Sequence, residues 1–248
     1  MRIVATYNIK GGVGKTSAAV NLAALAAQDG LRTLLWDLDP QGAASFLFRV
    51  RPKVKGGGGK LVRGRSDLAG LLRGTDVEGL DLLPADFSYR HMDLALDATG
   101  KPTRRLRKVL APVAADYDLA VLDCPPSISL VSESVFDAAD ALLVPLIPST
   151  LTLRTFEQLG DFVAAEVDRR PDIVAFFSMV DGRKRLHRDV VATLPDSRTD
   201  VVRSAIPAAT EVELMGVERS PVVVHAPHSR AARAYRSLWD EVRPRLRV

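Results

Sequence analysis

The chain has 248 residues, 47% of them hydrophobic and 26% charged. That is the balance of an ordinary soluble globular protein, with apolar content enough for one large α/β domain or two small ones. A net charge of +4 assigns no partner by itself, and a single cysteine, Cys124, excludes an intramolecular disulfide and any multi-cysteine metal site. Met1-Arg2 leads straight into strand-like residues with no signal-peptide pattern, and no apolar run approaches the ~18 residues that span a bilayer, which predicts a cytoplasmic protein.

Taken in chain order, strand-like runs fall at 2–7, 32–39, 80–85, 119–124, 141–148, 173–180 and 200–207. Those at 119, 141 and 173 are almost wholly apolar, the pattern of parallel strands buried on both faces. Amphipathic stretches predict helices at 15–29, closed by Gly30, at about 103–115, at 151–169 and at 228–246. The alternation implies βαβ units with right-handed crossovers and a doubly wound, mostly parallel sheet flanked by helices, as a single domain over 1–248.

One segment differs in character. Residues 49–65, RVRPKVKGGGGKLVRGR, carry seven Lys or Arg, no acid and four consecutive glycines. The composition predicts a flexible basic loop inserted after the second strand.

The first strand runs into NIKGGVGKTS (8–17) and then into a helical pattern, the strand–loop–helix context of a phosphate cradle. Backbone N–H groups from Gly11 through Gly12, Val13 and Gly14 to Lys15, Thr16 and Ser17 are placed to face phosphate oxygens at a positive helix N-terminus. In such a loop Lys15 reaches the β- and γ-phosphates and the Thr16 hydroxyl ligates Mg²⁺. The usual loop has a glycine at the position of Ile9, and here a second lysine, Lys10, stands beside it.

KGGVGKTS resembles the deviant Walker A motif of the ParA/MinD family of ATPases, a P-loop NTPase fold. The resemblance implies ATP and Mg²⁺ as cofactors, and Lys10 as a signature lysine that reaches the nucleotide held by a second copy in a homodimer. WDLDPQG (36–42) is similar to the family's first switch, which implies that Asp39 orients the attacking water and Asp37 supports the site from nearby. Asp123 in VLDCPPS takes the Walker B position, contacting Mg²⁺ through water, with Pro125-Pro126 leading into a second switch. LLPAD (82–86), DAADALLVPLIPS (137–149) and AIPAATEVELMGVERSPVV (205–223) extend the likeness over most of the chain. In SMVDGR (178–183) the chain departs from the pattern, where Asp181 falls at a base-reading position, and Pro207 is a second base-contact candidate.

Family members couple ATP-dependent dimerisation to a surface: DNA for ParA-type proteins, the membrane for MinD-type proteins. From 183 to 248 there are thirteen Lys or Arg against eight Asp or Glu. Arg198, Arg203, Arg219 and Arg230 fall near DNA-contacting positions of the family, implying nonspecific, salt-sensitive binding. The alternative is a membrane helix at 230–248, with Ala231, Ala234, Tyr235, Leu238, Trp239 and Val242 on one face. Asp240-Glu241 and Pro244 weaken it. The resemblance further implies a ParB-like or cargo-borne activator, a nucleoid-associated location, and no room for an N-terminal operator-binding domain. Cys124 alone cannot support an iron-protein reductase, whereas an ATP-dependent amide-forming enzyme of the same superfamily remains a rival.

Overall fold

The computed structural model describes residues 1–248. Eight strands form one sheet: β1 (Arg2–Thr6), β2 (Thr33–Asp37), β3 (Arg73–Gly74), β4 (Leu80–Leu83), β5 (Leu119–Asp123), β6 (Ala141–Leu146), β7 (Asp172–Val180) and β8 (Val201–Pro207). Their spatial order is β3-β4-β2-β5-β1-β6-β7-β8, parallel throughout except for the short edge strand β3, which runs antiparallel to β4. β1 lies in the centre, between β5 and β6. The chain proceeds from β1 towards β2 on one side and from β5 across β1 to β6 on the other. The crevice above the carboxyl end of β1 is therefore the place where α/β sheets of this kind bind ligands.

Each face of the sheet carries its own apolar core. One is built on α1 (Lys15–Gln28) and α12 (Arg230–Leu246), the other on α4 (Met92–Asp97), α5 (Arg105–Leu110), α6 (Leu130–Ala138) and α7 (Thr150–Glu166). Every residue of α1 from Ala18 to Ala27 is buried, and its alanines let the helix lie close on the strands. Gly30, at φ 87°, ends it with its N–H on the Ala27 carbonyl, as the sequence predicts. The predicted helix at 103–115 is shorter, α5 continuing only as a tight turn over Ala111–Val113. Of the helices longer than eight residues, α6 and α8 (Arg185–Ser197) had no counterpart in the sequence reading. α8 buries only His187 fully, packs Val190, Val191 and Leu194 partly against the first core, and contains Pro195.

The apolar face of α12 faces inward. Tyr235, Leu238, Trp239, Val242 and Leu246 are buried in the second core, and Asp29 at the end of α1 accepts from Trp239 Nε1 at 2.8 Å and from Arg236 at 2.8 Å. The face that would lie on a bilayer is occupied by the domain's own sheet and helix. No helix is long and apolar enough to cross a membrane.

The expectation of a flexible loop over 49–65 is corrected by the structure. After α2 (Ala43–Leu47), the glycine run forms α3 (Gly57–Val62), and Val54, Leu61 and Val62 are buried. Glycine is a poor helix former, but here its missing side chain is a packing requirement. A Cβ on Gly58 would lie 2.6 Å from Cδ1 of the Tyr89 ring, and one on Gly57, at φ 69°, would lie 2.8 Å from Ser88 Oγ. Asp86 accepts from Val54 N at 2.8 Å and Ser88 Oγ from Gly58 N at 2.8 Å, tying the segment down from the opposite side. Local composition suggests a spacer; long-range contact makes it an ordered element. The remaining short helices are α9 (Thr210–Glu213), α10 (Met215–Glu218) and α11 (Val222–His225).

Gly58→Val is expected to destabilise the fold by about 1–3 kcal/mol, because it drives a branched side chain into a buried ring. Gly59→Ala, whose Cβ meets nothing closer than 3.9 Å, is expected to be neutral or stabilising by up to about 1 kcal/mol. Urea midpoints of the two variants check this pair.

Candidate functional site

The loop from Tyr7 to Gly14 joins β1 to α1. Asn8 anchors it, donating from Nδ2 to the Pro145 carbonyl at 2.9 Å and accepting from Lys10 N at 3.0 Å. Two glycines are conformationally required: Gly12 at φ 68° and Gly14 at φ 93°. Gly14 is required sterically as well, since a Cβ there would lie 2.6 Å from Ser178 Oγ. Gly11, Gly12, Gly14, Lys15, Thr16 and Ser17 line a cleft of about 370 Å³, together with Asp39, Pro126 and Pro207. Val13 is buried behind the loop rather than on its wall.

Lys15 folds back across the loop, its ammonium donating to the Lys10 carbonyl at 2.9 Å. Burial lowers its pKa, and the carboxylates of Asp123 and Asp39 oppose that drop. The ammonium thus stays at the phosphate end of the cleft, held by one loop carbonyl that a phosphate can replace.

Asp37 and Asp123 are register partners at the ends of the adjacent strands β2 and β5, and both are fully buried. Asp37 spends one oxygen on Ser45, whose backbone N–H and hydroxyl each donate at 2.7 Å. Its Oδ1 and the Oδ2 of Asp123 have no hydrogen-bond partner. Burial, then the neighbouring carboxylate charge, pushes Asp37 up to about 6 and Asp123 well above the usual carboxylate range. Thr16 acts to lower Asp123, as does the charge of Lys15. Two orphaned, acceptor-only oxygens beside a hydroxyl and a phosphate cradle fit a hard divalent cation such as Mg²⁺. Asp37, expected to support the site from nearby, stands beside Asp123 in this buried pair.

Asp39 lies on the cleft wall, its Oδ1 accepting from Gln41 N at 2.9 Å in a tight turn that ends at Gly42. Lys10 is absent from the wall, and its ammonium has no hydrogen bond or ion pair in the chain. Asp181 is not on the wall either. Both of its oxygens bond Arg183, at 2.9 and 3.0 Å. The wall opposite the loop is made by Ser178, Met179, Ile206, Val212, Glu213 and Tyr235, none of them assigned to the nucleotide site from the sequence. Met179, at φ 53°, and Ile206 stand near the carboxyl ends of β7 and β8, the edge where such sheets bind ligands, and that position was their one available signal.

The four arginines assigned to DNA differ in availability. Arg198 is held bidentately by Asp200 and lies over the Phe156 ring, and Arg203 pairs with Asp196. Arg219, at φ 50°, donates to the Phe46 carbonyl at 3.1 Å and stacks on that ring, while Arg49, at φ 58°, donates back to the Glu218 carbonyl at 2.8 Å. This reciprocal clasp joins α2 to α10 along a second cavity of about 730 Å³, which shares Thr16 and Ser17 with the first. Arg230 alone of the four is exposed without an ion pair.

A family model described as an AAA domain matches residues 1–173. Chromosome partitioning protein ParA of Myxococcus xanthus is 30% identical over 250 residues, 98% of this chain and 88% of its own. Chromosome-partitioning ATPase Soj of Thermus thermophilus is 35% identical over 251 residues, 99% of this chain and 97% of its own. The chain belongs to the ParA/MinD family of ATPases. Among solved structures, cobyrinic acid a,c-diamide synthase of Mycobacterium smegmatis, with bound ATP analogue and magnesium, superposes with a TM-score of 0.79 at 28% identity. That superposition covers 98% of this chain and 95% of the synthase. Like it, this ParA/MinD-family chain is a P-loop NTPase fold with helices on both faces of a mostly parallel sheet.

The buried carboxylate pair has a pH signature. A carboxyl whose folded pKa lies above its unfolded one stabilises the fold while protonated and loses that contribution as pH rises through the folded value. In metal-free protein, Asp37→Asn is therefore expected to gain in melting temperature relative to the parent as pH rises from about 4 to about 7. Mg²⁺ with nucleotide is expected to reverse the order at neutral pH. Thermal melts with chelator or with Mg²⁺ and nucleotide check both.

Proposed function

We propose that this chain is an ATPase that dimerises around ATP and Mg²⁺, binds DNA nonspecifically in that state, and uses hydrolysis to partition or position a DNA or protein cargo. The observation that carries the reading is the free ammonium of Lys10: it belongs to the signature loop, yet it serves nothing in its own chain. A second copy facing the cleft would give it a phosphate. Association and nucleotide occupancy then become one equilibrium, because each site is completed by the other copy.

This chain's own residues divide the work. The loop N–H groups from Gly11 to Thr16 bind and orient the phosphates, and Lys15 exchanges its carbonyl partner for the β- and γ-oxygens. Thr16, Asp37 and Asp123 would hold the metal shell, with Asp123 acting through water. Mg²⁺ supplies neutralisation of charge on the transferred phosphoryl group. Asp39, on the wall and held by its turn, positions the attacking water. Pro207 and Met179 flank the place for the base. Hydrolysis is slow in the lone chain, since Lys10 acts only across an interface, and a ParB-like or cargo-borne activator accelerates it. The protein acts in the cytoplasm at the nucleoid.

An amide-forming ATPase is the second reading, favoured by the synthase neighbour and by the cavity beside Thr16 and Ser17, where Arg49 and Arg219 could face an acid. Turnover raised by DNA and a partner protein supports the first reading; turnover raised by a small acid with an amine supports the second. Lys10→Ala is expected to lower turnover at least about 100-fold and to abolish ATP-dependent dimers in light scattering. Asp39→Ala is expected to keep the dimer and hold it on DNA.

A further inference from the structure

The basic segment that follows the first switch is ordered, and its charge is unspent. Lys53, Lys55, Lys60, Arg63 and Arg65 are all exposed, and none forms an ion pair. The contrast with Arg198 and Arg203, each beside an aspartate, is electrostatic: the carboxylate charge partly offsets the guanidinium's attraction for a phosphate. The five free cations release only counterions.

Their presentation is rigid. α3 is pinned by Asp86 and Ser88, by the contact of Gly58 with Tyr89, and by buried Val54, Leu61 and Val62. Ordering five long side chains on a flexible spacer would also cost backbone entropy on binding, and here the backbone is already ordered. The surface continues onto α5, where Arg105 donates through Nε to the Val62 carbonyl. It also begins at the nucleotide cleft. A Cβ on Gly42, at the end of the turn that carries Asp39, would lie 3.0 Å from Cβ of Pro52, so the turn and the start of the basic segment are in direct contact.

We infer that the exposed face of 53–65 is the principal contact surface for the DNA phosphate backbone. This rests on the DNA-binding reading above and replaces the paired arginines with α3 as its main surface. The contacts are to phosphates alone, since ammonium and guanidinium groups on a convex element reach backbone charge without entering a groove. Arg230 adds to them only where the bound DNA reaches α12.

The test uses the full chain with the substitutions Lys53→Gln, Lys55→Gln, Lys60→Gln, Arg63→Gln and Arg65→Gln, which keep the aliphatic stems and remove the charge. A reduced set, Lys55→Gln with Lys60→Gln and Arg63→Gln, guards against misfolding of the full set. A separate Arg198→Gln, Arg203→Gln variant tests the paired arginines. Anisotropy of a labelled random-sequence duplex is titrated with ATP at several salt concentrations, beside ATP-dependent light scattering and anionic phosphatidylglycerol vesicles. The expected result is a loss of at least about tenfold in DNA affinity for both α3 variants, with unchanged dimerisation. The slope of log affinity against log salt should become shallower by about 2 to 4 per protomer for the full set. The paired-arginine variant should lose less than about threefold. Parent and α3 variants binding DNA equally would overturn the surface while leaving the DNA reading intact. A parent that binds no DNA with any nucleotide would overturn both, and loss of vesicle binding alone would assign the surface to a membrane.

Discussion

Two carboxylates that cannot comfortably share one buried place organise this molecule. Asp37 and Asp123 stand side by side because β2 and β5 pair in register, and the sheet closes over both. A charge buried beside a like charge is costly unless a proton or a cation settles it. One oxygen of Asp37 is already committed to Ser45, which also donates order to the next element through the Ala85 N–H bond to its hydroxyl. Asp37 Oδ1 and Asp123 Oδ2 are left without a hydrogen-bond partner.

The loop facing this pair is shaped by absence of side chains. Gly12 and Gly14 take left-handed backbone, and Gly14 also admits Ser178 from β7, so the cradle is fitted to the sheet edge as closely as to a phosphate. Lys15 is kept inside that cradle at the expense of its own solvation, while Lys10, five residues earlier, spends only its backbone. The two lysines have the same chemistry and opposite situations. One ammonium is committed inside its own chain and the other is not.

Charge on the outside follows a similar logic of spent and unspent groups. Arg203 ties β8 to α8, Arg198 pairs with Asp200 inside the loop between them, and Arg49 and Arg219 tie α2 to α10. Arg236 and Arg243 hold α12 to Asp29. Lys53, Lys55, Lys60, Arg63 and Arg65, in and beside α3, form no ion pair. A count of basic residues treats these groups alike, and only their partners separate structural arginines from free ones.

The sequence by itself determined the alternation of strands and helices, the phosphate loop, the order of Asp37, Asp39 and Asp123 along the chain, and the amphipathic spacing of the last helix. Each of these is written in local spacing: period-two and period-3.6 apolar patterns, glycines where backbone must turn, acids at strand ends. Tertiary structure alone decided that Asp37 and Asp123 are partners, because register is a relation between strands 86 residues apart. It alone made a helix of the glycine run, because the reason for those glycines is a tyrosine ring far along the chain. And it alone shows that Asp181 bonds Arg183, that Arg198 and Arg203 stand against aspartates and that Arg219 bonds the Phe46 carbonyl, since no spacing along the chain records what lies within about 3 Å of a charge in space.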